Sequence, residues 1–243
     1  MGRPDTSRIE AAIFDVDGVI LDSPHEQAWR EALVGYTDPR RLTTEIYQEH
    51  VAGKPRMMGA TDLLEHLEVQ DASARAAEYA ERKQQIVLEL IQSGHFTAYP
   101  DALRFIHRLR GGKVRLAVAS SSRNANIMLK QIKLDERFHS LFECFEVNVC
   151  GRDLRRGKPD PEIFLLAADE LRITPSVCFV VEDAPAGIQA AKAGGMTGLG
   201  VARHHDADLL SAAGADLVVT SLDDAVLAAG RLCRRTPCAD ARR

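Results

Sequence analysis

Two carboxylates follow an apolar run near the start of the chain, with one residue between them. The segment reads Ala11-Ala12-Ile13-Phe14-Asp15-Val16-Asp17-Gly18-Val19. Because side chains alternate along a strand, the carboxylates of Asp15 and Asp17 point the same way where the strand ends. Two such charges repel each other and are costly to bury. This spacing therefore indicates a site that binds a cation or performs acid chemistry.

Three more polar segments have similar positions relative to predicted elements. They are Ser120-Ser121-Ser122-Arg123-Asn124 after an apolar strand, Gly157-Lys158-Pro159 in a turn, and Glu182-Asp183 after another strand. Hydroxyls and free N–H groups at the start of a helix suit a phosphate group. Since the carboxyl ends of parallel strands share one edge of a sheet, we expect these side chains to meet there.

Such a set of side chains can transfer a phosphoryl group. Asp15 and Asp183 offer the carboxylate oxygens that Mg²⁺ prefers. Asp15 can attack phosphorus and form an aspartyl-phosphate. Asp17 can protonate the leaving oxygen and later deprotonate the acceptor. Ser120 and Lys158 can stabilise charge on the phosphoryl oxygens.

Short apolar strands alternate with helical patterns and so predict how these groups are positioned. The predicted strands are 9–14, 114–119, 177–181, 197–201 and 217–219, and the predicted helices between them are 102–110, 124–132, 162–171 and 185–193. Alternation of this kind is typical of an α/β fold with a doubly wound, Rossmann-like parallel sheet.

One stretch interrupts this alternation. Residues 23–97 carry four helical patterns, at 25–34, 43–51, 60–67 and 74–91, with little strand signal. We interpret 23–97 as an inserted helical cap domain, and 1–22 with 98–229 as the core. Residues 230–243 are rich in arginine and are predicted to be a solvated, flexible C-terminal tail.

The composition excludes several classes of protein. A formal net charge of -4 and 5% aromatic residues argue against a nucleic-acid surface, and no apolar run is long enough to span a membrane. Five cysteines without a C-x-x-C motif favour a reducing cytoplasm. We expect a monomer or weak homo-oligomer, and we expect the His204-His205-Asp206 segment to face solvent.

Taken together, the motifs resemble those of the haloacid dehalogenase-like hydrolase superfamily, and within it the β-phosphoglucomutase-like branch. The likeness covers about residues 9–225 and rests on Asp15-Val16-Asp17-Gly18-Val19, Ser120, Gly157-Lys158-Pro159 and Glu182-Asp183 followed by Ala184-Pro185-Ala186-Gly187. It implies that Asp15 is the nucleophile and Asp17 the acid/base. It also implies that Mg²⁺ is held by the Asp15 carboxylate, the Asp17 backbone carbonyl and Asp183, with Glu182 in support.

The resemblance extends to residues that would bind substrate. Arg56, in Gly53-Lys54-Pro55-Arg56, matches an arginine that contacts the distal phosphate of a sugar phosphate, and Ser122, Arg123 and Asn124 match a core loop with the same task. Ser121 belongs to that loop. His25, Trp29 and Lys83 match cap residues of the branch. The expected substrate is a small phosphorylated metabolite, a hexose phosphate in particular.

Alternatives remain open at this stage. The linker Asp22-Ser23-Pro24-His25 is shorter than in the mutases, so a sugar-phosphate phosphatase competes with a β-phosphoglucomutase. A phospho-receiver signalling module also places acids, a hydroxyl and a lysine at a sheet edge. A non-catalytic sugar-phosphate binder would keep the arginines but would not need Asp17.

Overall fold

The computed structural model describes residues 8–134 and 139–235. Its strands are β1 (Ala11–Phe14), β2 (Leu21–Asp22), β3 (Thr97–Ala98), β4 (Arg115–Val118), β5 (Val147–Asn148), β6 (Cys178–Glu182), β7 (Thr197–Val201), β8 (Leu217–Val219), β9 (Ala225–Ala228) and β10 (Arg231–Arg234). Its helices are α1 (His25–Ala32), α2 (Thr44–His50), α3 (Arg56–His66), α4 (Ala72–Gln92), α5 (Pro100–Gly111), α6 (Ala125–Gln131), α7 (Glu162–Leu171), α8 (Pro185–Ala193) and α9 (Ala207–Ala212).

Six strands form a parallel sheet in the order β5-β4-β1-β6-β7-β8. Because successive side chains of β1 point to opposite faces, Ala12 and Phe14 join one core cluster and Ala11 and Ile13 join another. The first cluster contains the buried faces of α5 and α6, and the second contains those of α7 and α8. This arrangement confirms the predicted doubly wound α/β core.

The interruption in the sequence pattern is a helical insertion. Helices α1 to α4 share a separate hydrophobic cluster in which Trp29, Leu63 and Tyr79 are buried. They lie between β2 and β3, which pair antiparallel through Leu21 with Ala98 and Asp22 with Thr97. The two chain crossings between core and cap therefore run side by side.

No helix in the described ranges is long and apolar enough to cross a membrane.

The expectation for the C-terminal segment was wrong at its start. Residues 230–234 are not a frayed tail, because β10 pairs antiparallel with β9 across the two-residue turn Ala229-Gly230. Both turn residues have positive φ, as tight hairpin turns require. Leu227 and Leu232 of this hairpin pack against the main core. The arginines mask this apolar anchor in the sequence. The rest of the predicted tail, 236–243, lies outside the described residues.

Candidate active site

The polar segments singled out in the sequence meet at the carboxyl edge of the sheet. Asp15 and Asp17 follow β1, Ser120 follows β4, and Asp183 follows β6, and these three strands are neighbours. Lys158 comes from the connection between β5 and α7. Adjacent parallel strands ending at one edge thus bring together groups that are more than a hundred residues apart in the chain.

Lys158 is the centre of this cluster. Its side chain is fully buried, and its Nζ donates to Asp15 Oδ1 and to Glu182 Oε1, each at 2.5 Å. Burial alone would lower the pKa of Lys158, but the two carboxylates raise it above its usual value. Lys158 therefore carries a positive charge that is fixed between β1 and β6. Asp15 is held further by the Val16 N–H, which donates to Oδ2 at 2.6 Å.

Asp17 lies in the same pocket but in a different environment. Ser120 Oγ donates to Asp17 Oδ2 at 3.4 Å, and His25 Nε2 of the cap lies 3.4 Å from Asp17 Oδ1. This Oδ1 is buried and has no hydrogen bond among the described residues. Burial raises the pKa of Asp17, with hydrogen bonds from Ser23 and Ser120 opposing. A carboxyl group with a raised pKa can carry a proton as well as accept one.

The adjacent residues Glu182 and Asp183, at the end of β6, direct their carboxylates to different partners. Glu182 is fully buried, and its Oε2 accepts from the N–H groups of Asp183 and Ala184 at 3.1 and 3.2 Å. The Asp183 carboxylate packs on the backbone at Gly18, where a Cβ would lie 1.8 Å from Oδ2. Gly18 also has φ +75°, so a side chain is excluded there on both counts. Glu182 thus holds Lys158 and the backbone after β6 in place, whereas Asp183 faces the Asp17-Gly18 segment.

Charge in this cluster is unbalanced toward the negative. Burial, followed by the charges of Glu182 and Asp15, raises the pKa of Asp183 well above its usual value. Burial likewise raises the pKa of Glu182 to about 7 and raises that of Asp15, with Lys158 opposing in both cases. One lysine does not compensate this many buried acids. A bound cation would do so.

The donors present fit Mg²⁺ better than a metal held wholly by side chains. Within the described residues, no group of three or more His, Cys, Asp or Glu side chains forms a ready cage. Mg²⁺ takes one or two carboxylates, keeps several waters and binds substrate phosphate. Asp15 and Asp183 supply such carboxylates beside the Asp17 backbone. The arrangement therefore suits this ion.

The cap is docked over the site. Ser121 Oγ donates to the Gly53 carbonyl at 3.3 Å, and a Cβ placed on Gly157 would lie 2.0 Å from Pro55 Cγ. Gly53 also approaches the core, since its Cβ would lie 3.2 Å from that of Ala184. The 53–56 segment of the cap thus rests directly on the core loops that carry Ser121, Gly157 and Ala184.

A second cap contact starts from the first cap helix. His25 Nε2 is 3.1 Å from Ser122 Oγ, and His25 Nδ1 is 2.6 Å from Lys83 Nζ. The Lys83 ammonium lies 5.0 Å from the centre of the Trp29 ring. Burial lowers the pKa of Lys83 to about 7, opposed by Asp17 and helped by Arg56. Burial and the Lys83 charge lower the pKa of His25 well below its usual value. The predicted cap residues His25, Trp29 and Lys83 are therefore contiguous.

The predicted arginine pair does not converge in this structure. Arg123 is exposed, and its Nη2 donates to Asp153 Oδ1 at 2.7 Å. Arg56 is half-buried near Lys83 and makes no ion pair with the described residues. Asn124 is buried and accepts from Gln84 Nε2 of the cap at 3.1 Å. A two-arginine grip on a distal phosphate stays a prediction.

Sequence reasoning missed two residues near the site. Gln84 joins the cap to Asn124, and an amide on a helix carries no sequence signal for such a contact. Asp206 is buried rather than solvent-facing, whereas His204 and His205 are exposed as expected. Asp206 Oδ2 has no hydrogen-bond partner among the described residues, and its charge adds to the raised pKa of Asp183. The position of Asp206 after β7, at the same sheet edge, was the available signal.

Comparison with known proteins gives a consistent result. A family model for haloacid dehalogenase-like hydrolases matches residues 9–195. A phosphorylated carbohydrates phosphatase of Thermotoga maritima is 31% identical over 191 residues, covering 77% of this chain and 82% of the relative. A β-phosphoglucomutase of Bacillus subtilis is 31% identical over 227 residues, covering 90% and 92%.

A solved structure agrees with these relatives. The β-phosphoglucomutase of the archaeon Pyrococcus sp. strain ST 04 has a TM-score of 0.69 and 33% identity, covering 87% of this chain and 92% of that one. The residues matched by the family model include both the β1 and β6 motifs, which carry the buried acids. This chain belongs to the haloacid dehalogenase-like hydrolases, a family of phosphoryl-transfer enzymes.

Proposed function

We propose that the protein transfers a phosphoryl group on a small sugar phosphate through an aspartyl-phosphate on Asp15, in the manner of a β-phosphoglucomutase. The observation that carries this proposal is the fully buried Lys158 between Asp15 and Glu182, with Asp17 beside it. Membership of a hydrolase family sets aside the receiver-module and simple binder alternatives.

Each catalytic side chain has a role that its surroundings support. Asp15 attacks phosphorus, so that an Asp15 oxygen–phosphorus bond forms as the bond to the leaving oxygen breaks. Asp17 gives its proton to that oxygen and recovers one from the acceptor. Lys158 favours the ionised form of Asp15, opposing the effect of burial, and places positive charge near the phosphoryl oxygens. Ser120 Oγ donates to Asp17 Oδ2 and accepts from the Ser122 N–H, which fixes this hydroxyl on the Asp17 side of the site.

The metal proposal follows from the charge imbalance of the cluster. Asp15, Asp183 and the Asp17 carbonyl would hold Mg²⁺, with Glu182 supporting through the backbone after β6. Bound there, the ion would neutralise charge on the phosphoryl group. Family members generally use Mg²⁺, which agrees with the donor set.

The substrate proposal rests on the cap. His25, Trp29 and Lys83 form a polar and aromatic patch that touches Asp17 from above. A sugar ring offers hydroxyls for such a patch, and Arg56 is available for a second phosphate. Ser121, Ser122, Arg123 and Asn124 form the facing loop of the core. A hexose phosphate suits this enclosure, and the two named relatives are a carbohydrate-phosphate phosphatase and a phosphoglucomutase.

A phosphatase of the same family is the second candidate, and one observation favours it. Arg123 is paired with Asp153 at the surface, which leaves Arg56 as the single half-buried arginine of the predicted pair. A mutase must bind a sugar bisphosphate in two orientations, with either phosphate at Asp15 and the other at a second phosphate site. A phosphatase needs no second phosphate site. A second phosphate site with one arginine instead of two would therefore reduce the activity of a mutase more than that of a phosphatase.

One assay separates the two candidates. The enzyme is given β-glucose 1-phosphate, Mg²⁺ and a trace of glucose 1,6-bisphosphate, and both glucose 6-phosphate and inorganic phosphate are measured. Formation of glucose 6-phosphate without stoichiometric phosphate release supports the mutase. Release of phosphate with no glucose 6-phosphate overturns it in favour of the phosphatase. A monomeric or weakly homo-oligomeric state and a cytoplasmic location stay predictions.

A further inference from the structure

Arg203 makes a set of contacts that the catalytic site does not require. It lies in the loop after β7, and its guanidinium reaches back to the start of the cap insertion. Nε donates to the Gly18 carbonyl at 3.3 Å, and Nη2 donates to the Val19 carbonyl at 3.1 Å. These two carbonyls belong to the segment that leads from Asp17 into the cap.

The same guanidinium holds the segment by which the chain returns from the cap. Nη1 donates to Asp101 Oδ2 at 2.8 Å and Nη2 to Asp101 Oδ1 at 3.2 Å. Its Cζ lies 4.0 Å from the centre of the Tyr99 ring. Tyr99 in turn donates its N–H to the Ile20 carbonyl at 2.9 Å, so the two linkers are bonded to each other beside Arg203.

Asp101 anchors this group to the rigid core. Its Oδ2 accepts from Ser221 Oγ at 3.1 Å and from the Leu222 N–H at 2.8 Å. The Arg203 and Asp101 side chains are only 9% and 10% exposed. Hydrogen bonds from Arg203 and from Asp101's other partners lower the pKa of Asp101 despite its burial. The pair is therefore ionised, and it is buried where both linkers leave the core.

A planar guanidinium with five donors is suited to this position, because it can satisfy two carbonyls and a carboxylate at once. A bidentate buried pair costs desolvation and is weak evidence for stability by itself. The Arg203–Asp101 pair lies where both linkers leave the core and not inside either core cluster. This position indicates that the pair orients the cap. Gly18 also links Arg203 to Asp17 and to Asp183, which packs on the Gly18 backbone.

We propose that Arg203 is a positioning residue that fixes both cap linkers and so sets the closed position of the cap over the substrate. This inference rests on the proposed function only in assuming that the cap closes on a sugar phosphate. Loss of Arg203 leaves the Lys158 cluster in place but lets the cap settle out of register. Misplacement of about 1 Å can cost on the order of 10²-fold in rate.

The test compares Arg203→Met and Arg203→Lys with Arg108→Met as the matched control. Arg108 bonds Asp223 and the carbonyls of Leu222 and Ala225, on the same short segment that Asp101 anchors, but has no hydrogen bond to either linker. Kinetics are measured with β-glucose 1-phosphate and with p-nitrophenyl phosphate, a small substrate that needs less of the cap. Hydrogen exchange is followed in residues 18–24 and 95–100.

The expected result for Arg203→Met is a fall in kcat/KM for the sugar phosphate that is about tenfold larger than for p-nitrophenyl phosphate. Faster exchange in both linkers accompanies it. Arg203→Lys keeps the positive charge but not the planar, two-pronged guanidinium, and it gives kcat/KM values and linker exchange rates between those of the wild type and Arg203→Met. Arg108→Met changes neither kcat/KM nor linker exchange. Equal losses on both substrates with unchanged linker exchange would overturn the proposal and leave Arg203 a structural residue. If the sugar phosphate is not a substrate, the proposed function fails while the exchange data still decide the role of Arg203.

Discussion

The sheet edge and the cap are held by different kinds of interaction. At the sheet edge, a fully buried lysine joins two carboxylates from neighbouring strands. Across the interface between cap and core, the contacts are side-chain hydrogen bonds such as His25 with Ser122 at 3.1 Å and Ser121 with the Gly53 carbonyl at 3.3 Å. Neutral hydrogen bonds contribute about 0.5–1.5 kcal/mol each, whereas breaking a buried ion pair costs several times more. Under the proposed function, the reacting groups are therefore held by the stronger interactions of the sheet edge, and the cap is held over them by weaker ones.

The largest effect should come from removing the nucleophile at the sheet edge. Asp15→Asn keeps the shape of the side chain but cannot form an acyl phosphate, so we expect kcat to fall roughly 10⁴-fold or more. Radiolabelled phosphate should be trapped on the wild-type protein in acid-quenched turnover and not on the variant. Asp169→Asn, on the exposed side of α7, is the matched control and should leave both readouts unchanged. Residual turnover of Asp15→Asn near the wild-type rate would disprove the assignment.

The difference in anchoring predicts a large effect on stability as well. Lys158→Met leaves Asp15 and Glu182 buried without their cation, and we expect a loss of about 3–5 kcal/mol in the free energy of unfolding. Lys192→Met is the control, since Lys192 pairs with Asp216 at the surface and such pairs contribute about 1 kcal/mol or less. Urea unfolding measures both. Similar losses of unfolding free energy in the two variants would show that the buried Lys158 contacts stabilise the fold no more than a surface ion pair does.

The same contrast explains which features could be predicted from sequence. Asp15, Ser120 and Asp183 come shortly after the ends of β1, β4 and β6, so strand periodicity and sheet topology were sufficient to bring them together. Lys158 lies in the longer connection between β5 and α7, where the Gly157-Lys158-Pro159 turn was the available signal. Helices α7 and α8 begin and end at the predicted residues, because a proline marks the start of each and Gly194 follows the end of α8.

Features that depend on tertiary packing escaped prediction. β5 has only two residues, and the β9–β10 hairpin is hidden among arginines. Arg123 has a solvent-exposed acid within reach, and no local pattern decides between Asp153 and the pocket. Gln84 and Arg203 act across long distances in sequence, where an amide or a guanidinium gives no periodic signal.

A change at the contact between cap and core should have an intermediate effect. Gly157→Ala places a methyl group within 2.0 Å of Pro55 Cγ, so the cap must shift to make room. We expect kcat/KM for the sugar phosphate to fall roughly 10- to 100-fold, with little change in the free energy of unfolding. Gly111→Ala is the matched control, because no atom lies within 4 Å of a Cβ at that helical position. Equal activity of the two variants would mean that the 53–56 segment need not rest on the core.

The last effect appears only as the pH rises, and it concerns the buried charge inside the cap. The pKa of Lys83 is lowered by burial from its ordinary 10.5 to about 7. Between these values the unfolded chain binds a proton that the folded chain lacks, so the free energy of unfolding rises as the pH increases from about 7 toward 10.5. Below pH 7 both states are protonated, and this contribution stays constant. Lys83→Met removes the titration altogether.

We therefore expect the stability of the wild type, relative to Lys83→Met, to be flat below pH 7 and to increase above it. Trp29 is the single tryptophan of the chain and lies 5.0 Å from Lys83 Nζ, so its fluorescence reports unfolding of the cap itself. Lys133→Met, the same substitution at an exposed lysine outside the cap, serves as the control. Parallel pH profiles for the wild type and Lys83→Met would show that Lys83 is not desolvated in solution. The cap would then be open more often than its docked contacts imply, because only a closed and packed cap keeps water from this ammonium group.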